Sequence, residues 1–181
     1  MSCHNFQGLP YGAGIAELSG MGAIDKLKSD HRAVEELFEA FEKARTGDRK
    51  RAIFEEIADK LAVHAAIEEN HFYPAAKAKD TEDLLLEAAE EHLSVKRLIA
   101  DLLKLDAKDD TFEAKVKVLQ EQVAHHVKEE EKELFPKAKK LLDAETLNEL
   151  EAEMVAMEEE LLEAGEPRNQ VPNETAEAAP I

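Results

Sequence analysis

Cysteine, glycine, proline and long apolar runs are all scarce in this chain, and each scarcity narrows what it can be. Cys3 is the only cysteine in 181 residues. No internal disulfide can form, which fits a reducing cytoplasm. The 7 glycines and 6 prolines sit at the ends and between blocks. No apolar run approaches the ~18 residues that span a bilayer, so no membrane partner is expected. The N-terminus offers neither a basic stretch nor a continuous apolar one, and reads as carrying no secretory signal. Basic residues are also in deficit, 23 against 41 acidic for a formal net charge of −18. That balance argues against nucleic acid, whose phosphates attract basic surfaces. What remains is 44% apolar and 35% charged, the composition of a globular chain long enough for one domain with a real core.

The apolar residues that are present recur at helical spacing. Residues 1–22 stand apart as an irregular arm, with Gly8, Pro10, Gly12, Gly14, Gly20 and Gly22 and no periodicity. From Ile24 through Leu27, His31, Val34 and Phe38 runs a first stripe. A break at Thr46-Gly47-Asp48 follows, with Asp48 as the expected cap of a second helix carrying Ile53, Ile57, Leu61 and His64. Asp80 or Thr81 opens a third, bearing Leu85, His92, Val95 and Ile99. Asp110-Thr-Phe-Glu113 resembles a capping box for a fourth, with Val116, Leu119, Val123 and His126 inside. A fifth helix from about Asp143 to Glu163 uses Leu147, Leu150, Met154 and Met157 and is expected across the outside of the bundle. From Gly165 to Ile181 no stripe continues, so a disordered tail is expected over residues 165–181. The reading is all-α: an antiparallel up-down four-helix bundle over residues 23–164, including the extra C-terminal helix.

Within this pattern one motif is written twice. His64-Ala-Ala-Ile-Glu68 and His126-Val-Lys-Glu-Glu130 share a four-residue spacing, and each leads to an aromatic-proline ending, Tyr73-Pro74 and Phe135-Pro136. Positions i and i+4 lie above one another on a helix, so each pair aims an imidazole and a carboxylate at one point. Asp30-His31 and Glu91-His92 repeat at nearly the same shift. Each half is therefore a hairpin with one His on its first helix and His-x-x-x-Glu on its second. All four histidines fall on apolar faces, where a polar group is costly unless paired or bound to metal. One such His reads as a hydrogen-bonded core residue; four at related positions, two with a Glu one turn on, point to metal. Imidazole and carboxylate without thiolate suit iron, manganese or zinc. Six ligands exceed the four of a structural zinc site and suggest two metals sharing carboxylates.

The doubled His-x-x-x-Glu with its aromatic-proline ending resembles the hemerythrin-like, or HHE cation-binding, domain, over about residues 23–164. That resemblance implies a non-heme di-iron centre, oxo- or hydroxo-bridged, with His31, His64, His92 and His126 as terminal ligands and Glu68 and Glu130 as bridges. Ferritin-like bundles use Glu-x-x-His instead, which is missing at these places. Oxygen-carrying members have a fifth histidine one turn from the third-helix one. Here the flanking positions are Ala88 and Lys96. Of about twelve positions on two octahedral irons, about two then stay open or take water. The function this implies is binding or sensing of O2 or a related small oxidant, any signal passing to a protein partner. The alternatives are an enzyme acting on peroxide, NO or Fe(II), or an iron-storage or iron-sensing bundle.

Neighbouring polar residues receive plainer readings. His71, seven after His64, is expected at the end of the bundle rather than as a ligand, and Glu35 at the surface. His125 points about 100° away from His126, toward the surface or a supporting hydrogen bond. Glu69, Glu129 and Glu131 read as solvated charges or as partners of the ligating imidazoles.

Overall fold

The computed structural model describes residues 22–181; the N-terminal arm, with Cys3, lies outside them except for Gly22. Five helices follow in chain order. They are α1 (Ala23–Lys43), α2 (Gly47–Ile67), α3 (Glu82–Leu103), α4 (Phe112–Glu129) and α5 (Ala144–Glu163). The first four form the antiparallel up-down bundle, with α1 packed on α2 and α3 on α4, while α5 lies outside against α1 and α2. No strand occurs among the described residues, and none of their helices is long and apolar enough to cross a membrane.

Two helix starts depart from expectation by one or two residues. At α2 the cap is Thr46, whose hydroxyl accepts from the Arg49 N–H at 3.3 Å. Asp48 instead sits in the first turn, where its charge complements the helix dipole. Before α4, Asp109 accepts from the Thr111 N–H at 2.8 Å. This local turn displaces the expected Asp110 box, and α4 begins at Phe112 behind Thr111. Asp143 caps α5 as a true acceptor, 2.9 Å from the Thr146 N–H.

The two aromatic-proline endings have a structural consequence. After Ile67, α2 widens into a π turn over Glu68–Phe72 before a last α turn at Tyr73–Ala76; after Glu129, α4 does the same over Glu130–Leu134 before Phe135–Leu141. The N–H groups of Tyr73 and Phe135 bond back five residues, to the carbonyls of Glu68 and Glu130. Pro74 and Pro136 have no N–H to give, and their rings crowd the carbonyl four residues back. A wider turn relieves that conflict without ending the helix. It also places Tyr73 and Phe135 wholly inside, at 0% and 1% exposure.

Two apolar clusters fill the bundle, one containing Phe38, Phe54, Ile99 and Phe112, the other Leu27, Ile67, Phe72, Leu85 and Phe135. The four core histidines interrupt the apolar stripes where these clusters meet: His31 stands between Leu27 and Val34, and His92 between Ala88 and Val95. A polar layer thus lies between two dry ones.

The expected disordered tail is corrected. Pro167–Asn169 and Val171–Glu174 form 3-10 turns that pack on α2 and α3. Val171 is 1% exposed and joins the cluster of Ile57 and Ile99. The Arg168 guanidinium pairs with Asp59, and Arg97 donates to the Thr175 and Ala176 carbonyls at 3.0 and 3.2 Å. Such a segment needs no periodic stripe, because it docks on helices that already exist and requires only an anchor or two.

Candidate metal centre

The polar layer is built from all six residues marked by the repeat. His31, His64, His92 and His126 are 4–7% exposed, Glu68 0% and Glu130 2%. His31 and His64 form one pair, ring centroids 4.9 Å apart, and His92 and His126 another at 4.7 Å. The glutamates lie between the pairs. Glu68 Oε2 is 3.3 Å from both His64 Nε2 and His92 Nε2. Glu130 Oε2 is 3.3 Å from His31 Nε2 and 3.4 Å from His126 Nε2. Each carboxylate therefore touches one imidazole of its own hairpin and one of the other. The ligand atoms of His31, His64, Glu68 and Glu130 lie within 4.8 Å of one another, as do those of Glu68, His92 and His126.

Behind every imidazole stands a second carboxylate. Nδ1 of His31 faces Glu131 at 2.9 Å, of His92 faces Glu69 at 3.0 Å, of His126 faces Glu91 at 2.8 Å, and of His64 faces Asp30 at 3.7 Å. These four acids flank the cluster residues in sequence: Asp30 and Glu91 precede a histidine, and Glu69 and Glu131 follow a glutamate. The contacts close a ring, α1 to α2, α2 to α3, α3 to α4 and α4 back to α1. Each contact turns an Nε2 inward, the orientation in which imidazole serves a metal.

Tyr73 belongs to the same layer. Its hydroxyl lies 3.1 Å from Glu130 Oε1, 3.4 Å from Glu68 Oε2 and 3.3 Å from His92 Nε2. Its ring stacks on His92, as Phe135 stacks on His31 in the other half, with centroids 5.5 and 5.9 Å apart. The repeat is thus asymmetric at one atom, a phenol oxygen present on one side alone.

The electrostatics follow from burial and like charge. Glu68 is pushed well above the ordinary carboxyl value by burial and then by the charge of Glu130. At Glu130 burial pulls the same way, but His126 and His31 outweigh it and hold the group low. Complete burial brings His64 down to about 4, with Asp30 offsetting only part. At His31 and His126 burial is overcome by surrounding carboxylates, chiefly Glu130, and both are held above the ordinary imidazole value. Burial, then Glu130 and Glu68, keeps the Tyr73 phenol protonated. Even so, His31 Nε2, both His64 nitrogens, Glu68 Oε1 and Glu130 Oε2 are buried without a hydrogen-bond partner. Such orphans are rare in native cores, and here they share one layer and one donor chemistry, which suits a cation.

The comparisons with known proteins agree with that chemistry. The model of the hemerythrin HHE cation-binding domain matches residues 22–138. The chain belongs to this family. A crystal structure of a hemerythrin HHE cation-binding domain-containing protein from Mycobacterium kansasii shares the fold, with a TM-score of 0.70 at 23% identity over 83% of this chain and 97% of that one. A protein of Nostoc sp. named DNA nickase is 26% identical over 136 residues, 75% of this chain and 39% of its own length. The chain therefore spans about two fifths of that relative.

The remaining candidates fall outside the cluster of this HHE domain. His71 Nδ1 lies 3.2 Å from Glu153 on α5, and Glu35 pairs with Arg32 in solvent. Lys96, one of the two positions one turn from His92, is 7% exposed, with Nζ 2.8 Å from Glu69 and 3.0 Å from Glu174. Tyr73 was visible in sequence as part of a repeated ending, but not as a member of the layer. The signal that could have placed it is the proline after it, which imposes the π turn.

Proposed function

We propose that this chain is a non-heme di-iron protein that binds or senses O2 or a related small oxidant. In this reading His31, His64, His92 and His126 would be terminal ligands, and Glu68 and Glu130 would bridge. What supports it most is the convergence of four Nε2 atoms on two shared carboxylates in a layer of unpartnered buried atoms. A pair of irons held there would supply redox-active Lewis acidity toward a small oxidant.

The chain's own residues supply selection and positioning. A cavity of about 30 Å³ is lined by the four histidines and by Val34, Leu61, Val95, Ile99 and Val123. One water requires roughly 10–15 Å³ by this measure, so the space suits a diatomic molecule or peroxide. Its apolar walls limit water around the layer. Tyr73 keeps its proton and donates a hydrogen bond to Glu130. Glu69, Glu91 and Glu131 fix His92, His126 and His31 by hydrogen bonds, and Asp30 faces His64 at 3.7 Å. DNA nicking is not carried over from the Nostoc relative, because the match covers 39% of that protein and a net charge of −18 disfavours a phosphate backbone.

The test is anaerobic reconstitution with Fe(II), iron quantified per chain, and visible spectra recorded after O2, peroxide and NO. A change reversed on removing O2 supports binding or sensing. Sustained consumption of peroxide or NO instead makes the protein an enzyme, and less than one iron per chain rejects the di-iron reading.

A pH dependence accompanies loading. Ligating imidazoles must be neutral. His31 and His126 are held above the ordinary imidazole value and so keep their protons to higher pH than a free imidazole, whereas His64, at about 4, is neutral. Metal uptake should therefore release protons, increasingly so as pH falls toward and through the ordinary imidazole range, while apparent affinity falls. Calorimetry in buffers of different ionisation enthalpy measures the release directly. A flat, proton-neutral uptake across that range contradicts the expectation.

A further inference from the structure

We infer that Glu91, His125 and Glu129 form an outer divalent-cation site through which metal reaches the buried cluster. His125-x-x-x-Glu129 repeats the spacing of His126-x-x-x-Glu130 one residue earlier, rotated about 100° around α4. The two side chains meet Glu91 of α3: His125 Nε2 is 3.5 Å from Glu91 Oε1 and 3.3 Å from Glu129 Oε1. One ligand atom from each of the three lies within 4.8 Å of the others. An imidazole and two carboxylates suit Fe(II), Mn(II), Co(II) or Zn(II). The His125 side chain is 56% exposed, so water can complete the coordination and binding is weak.

Two further observations connect this trio to the interior. Glu91 faces both ways, its Oε1 toward His125 and its Oε2 2.8 Å from His126 Nδ1. A narrow cleft of about 10 Å³ is lined by Glu91 and Glu129 and by His126 and Glu130. Glu130 is 2% exposed, and its Oε2 has no hydrogen-bond donor. A cation at the trio thus sits beside a crevice whose inner wall carries a buried carboxylate with one oxygen, Oε2, lacking a hydrogen bond.

The other half of the repeat has no such trio. The positions equivalent to His125 and Glu129 are Val63 and Ile67, 5% and 0% exposed, in the apolar cluster that includes Leu150 and Met154 of α5. The fifth helix covers one flank of the polar layer, and the trio occupies the flank it leaves open.

Binding at the trio stands on its own residues; the feeding role rests on the buried cluster being a metal centre. Equilibrium dialysis of the metal-free full chain against Co(II) should show two tight ions and one weaker ion. His125→Ala and Glu129→Gln should each remove the weaker ion and keep both tight ones. In stopped-flow mixing with limiting Co(II), filling of the buried sites should slow roughly tenfold or more in His125→Ala, as loss of a local ion-concentrating site predicts, with an unchanged end point. Absence of the weaker ion in the wild type, or its persistence in His125→Ala, overturns the outer site. Its loss with an unchanged filling rate overturns the feeding role. Absence of the tight ions rejects the buried centre, while a weaker ion lost in His125→Ala still upholds the outer site.

Discussion

Metal loading should raise the unfolding midpoint by roughly 8–16 °C, and Glu68→Leu should abolish that gain without lowering the midpoint of the metal-free protein. The first half follows from linkage. A ligand at a thousand times its dissociation constant stabilises the folded state by about 4 kcal/mol, and each kcal/mol moves the midpoint of a domain this size by about 2–4 °C. The second half follows from the layer itself. Glu68 is fully buried, its Oε1 has no partner, and burial together with Glu130 pushes its pKa well up. A carboxylate so placed opposes folding until a cation arrives. Glu68→Leu removes a buried polar group that has an unpartnered oxygen and that Glu130 repels, and relief of those two costs offsets the loss of its imidazole contacts. A purely structural Glu68, by contrast, would make Glu68→Leu destabilising with or without metal. Scanning calorimetry of chelated and Zn(II)-loaded samples distinguishes the two. An equal metal-induced shift in the variant would exclude Glu68 from the centre.

The six residues of this layer could be found in sequence because their signal is local and periodic. An i, i+4 pair keeps its geometry on any helix, and its repetition at a constant shift related His64 and Glu68 to His126 and Glu130 before any packing was known. His31 and His92 followed because each interrupts an apolar stripe. Tyr73 did not, since a π turn moves it off the 3.6-residue period on which the stripe was read. The carboxylates behind the imidazoles were legible only in part. Glu69 and Glu131 were assigned either to solvent or to ligand support, and their direction, each onto the next helix of the ring, depends on how the hairpins meet. Asp30 and Glu91 served only to align the repeat. The C-terminal segment was misread because Val171 and Arg168 dock singly, and a single anchor leaves no pattern. Ala88 and Lys96 show in sequence only that no histidine flanks His92; that Lys96 pairs with Glu69 and Glu174 depends on packing.

Lys96→Met should cost about 3 kcal/mol or more in the metal-free protein, against less than ~1 kcal/mol for Glu174→Gln. The difference lies in what each substitution leaves behind. Lys96 Nζ is 3.0 and 2.8 Å from the two oxygens of Glu69 and 3.0 Å from Glu174. The Glu69 side chain is 11% exposed and that of Glu174 is 50%. Losing Lys96 strands a nearly buried carboxylate with only His92 beside it, whereas losing the charge of Glu174 frees one side of a pair open to water. Burial works to lower Lys96 and to raise Glu69, yet each is overruled by its partners and both stay charged. The same contact reaches the centre through Glu69, which orients His92 at 3.0 Å. Loosening such a support commonly costs about 10–100-fold in metal affinity, so Lys96→Met should weaken metal binding where Glu174→Gln does not. The decisive comparison is Lys96→Met combined with Glu69→Gln. If the stranded charge is the cause, the double variant regains much of the stability lost in the single one, while His92 still lacks its carboxylate and affinity stays low. Urea denaturation and a competitive Zn(II) titration on the four proteins measure both quantities. A double variant less stable than Lys96→Met would show that Lys96 serves by packing alone, and that its charge holds neither Glu69 nor, through it, the ligand face of α3.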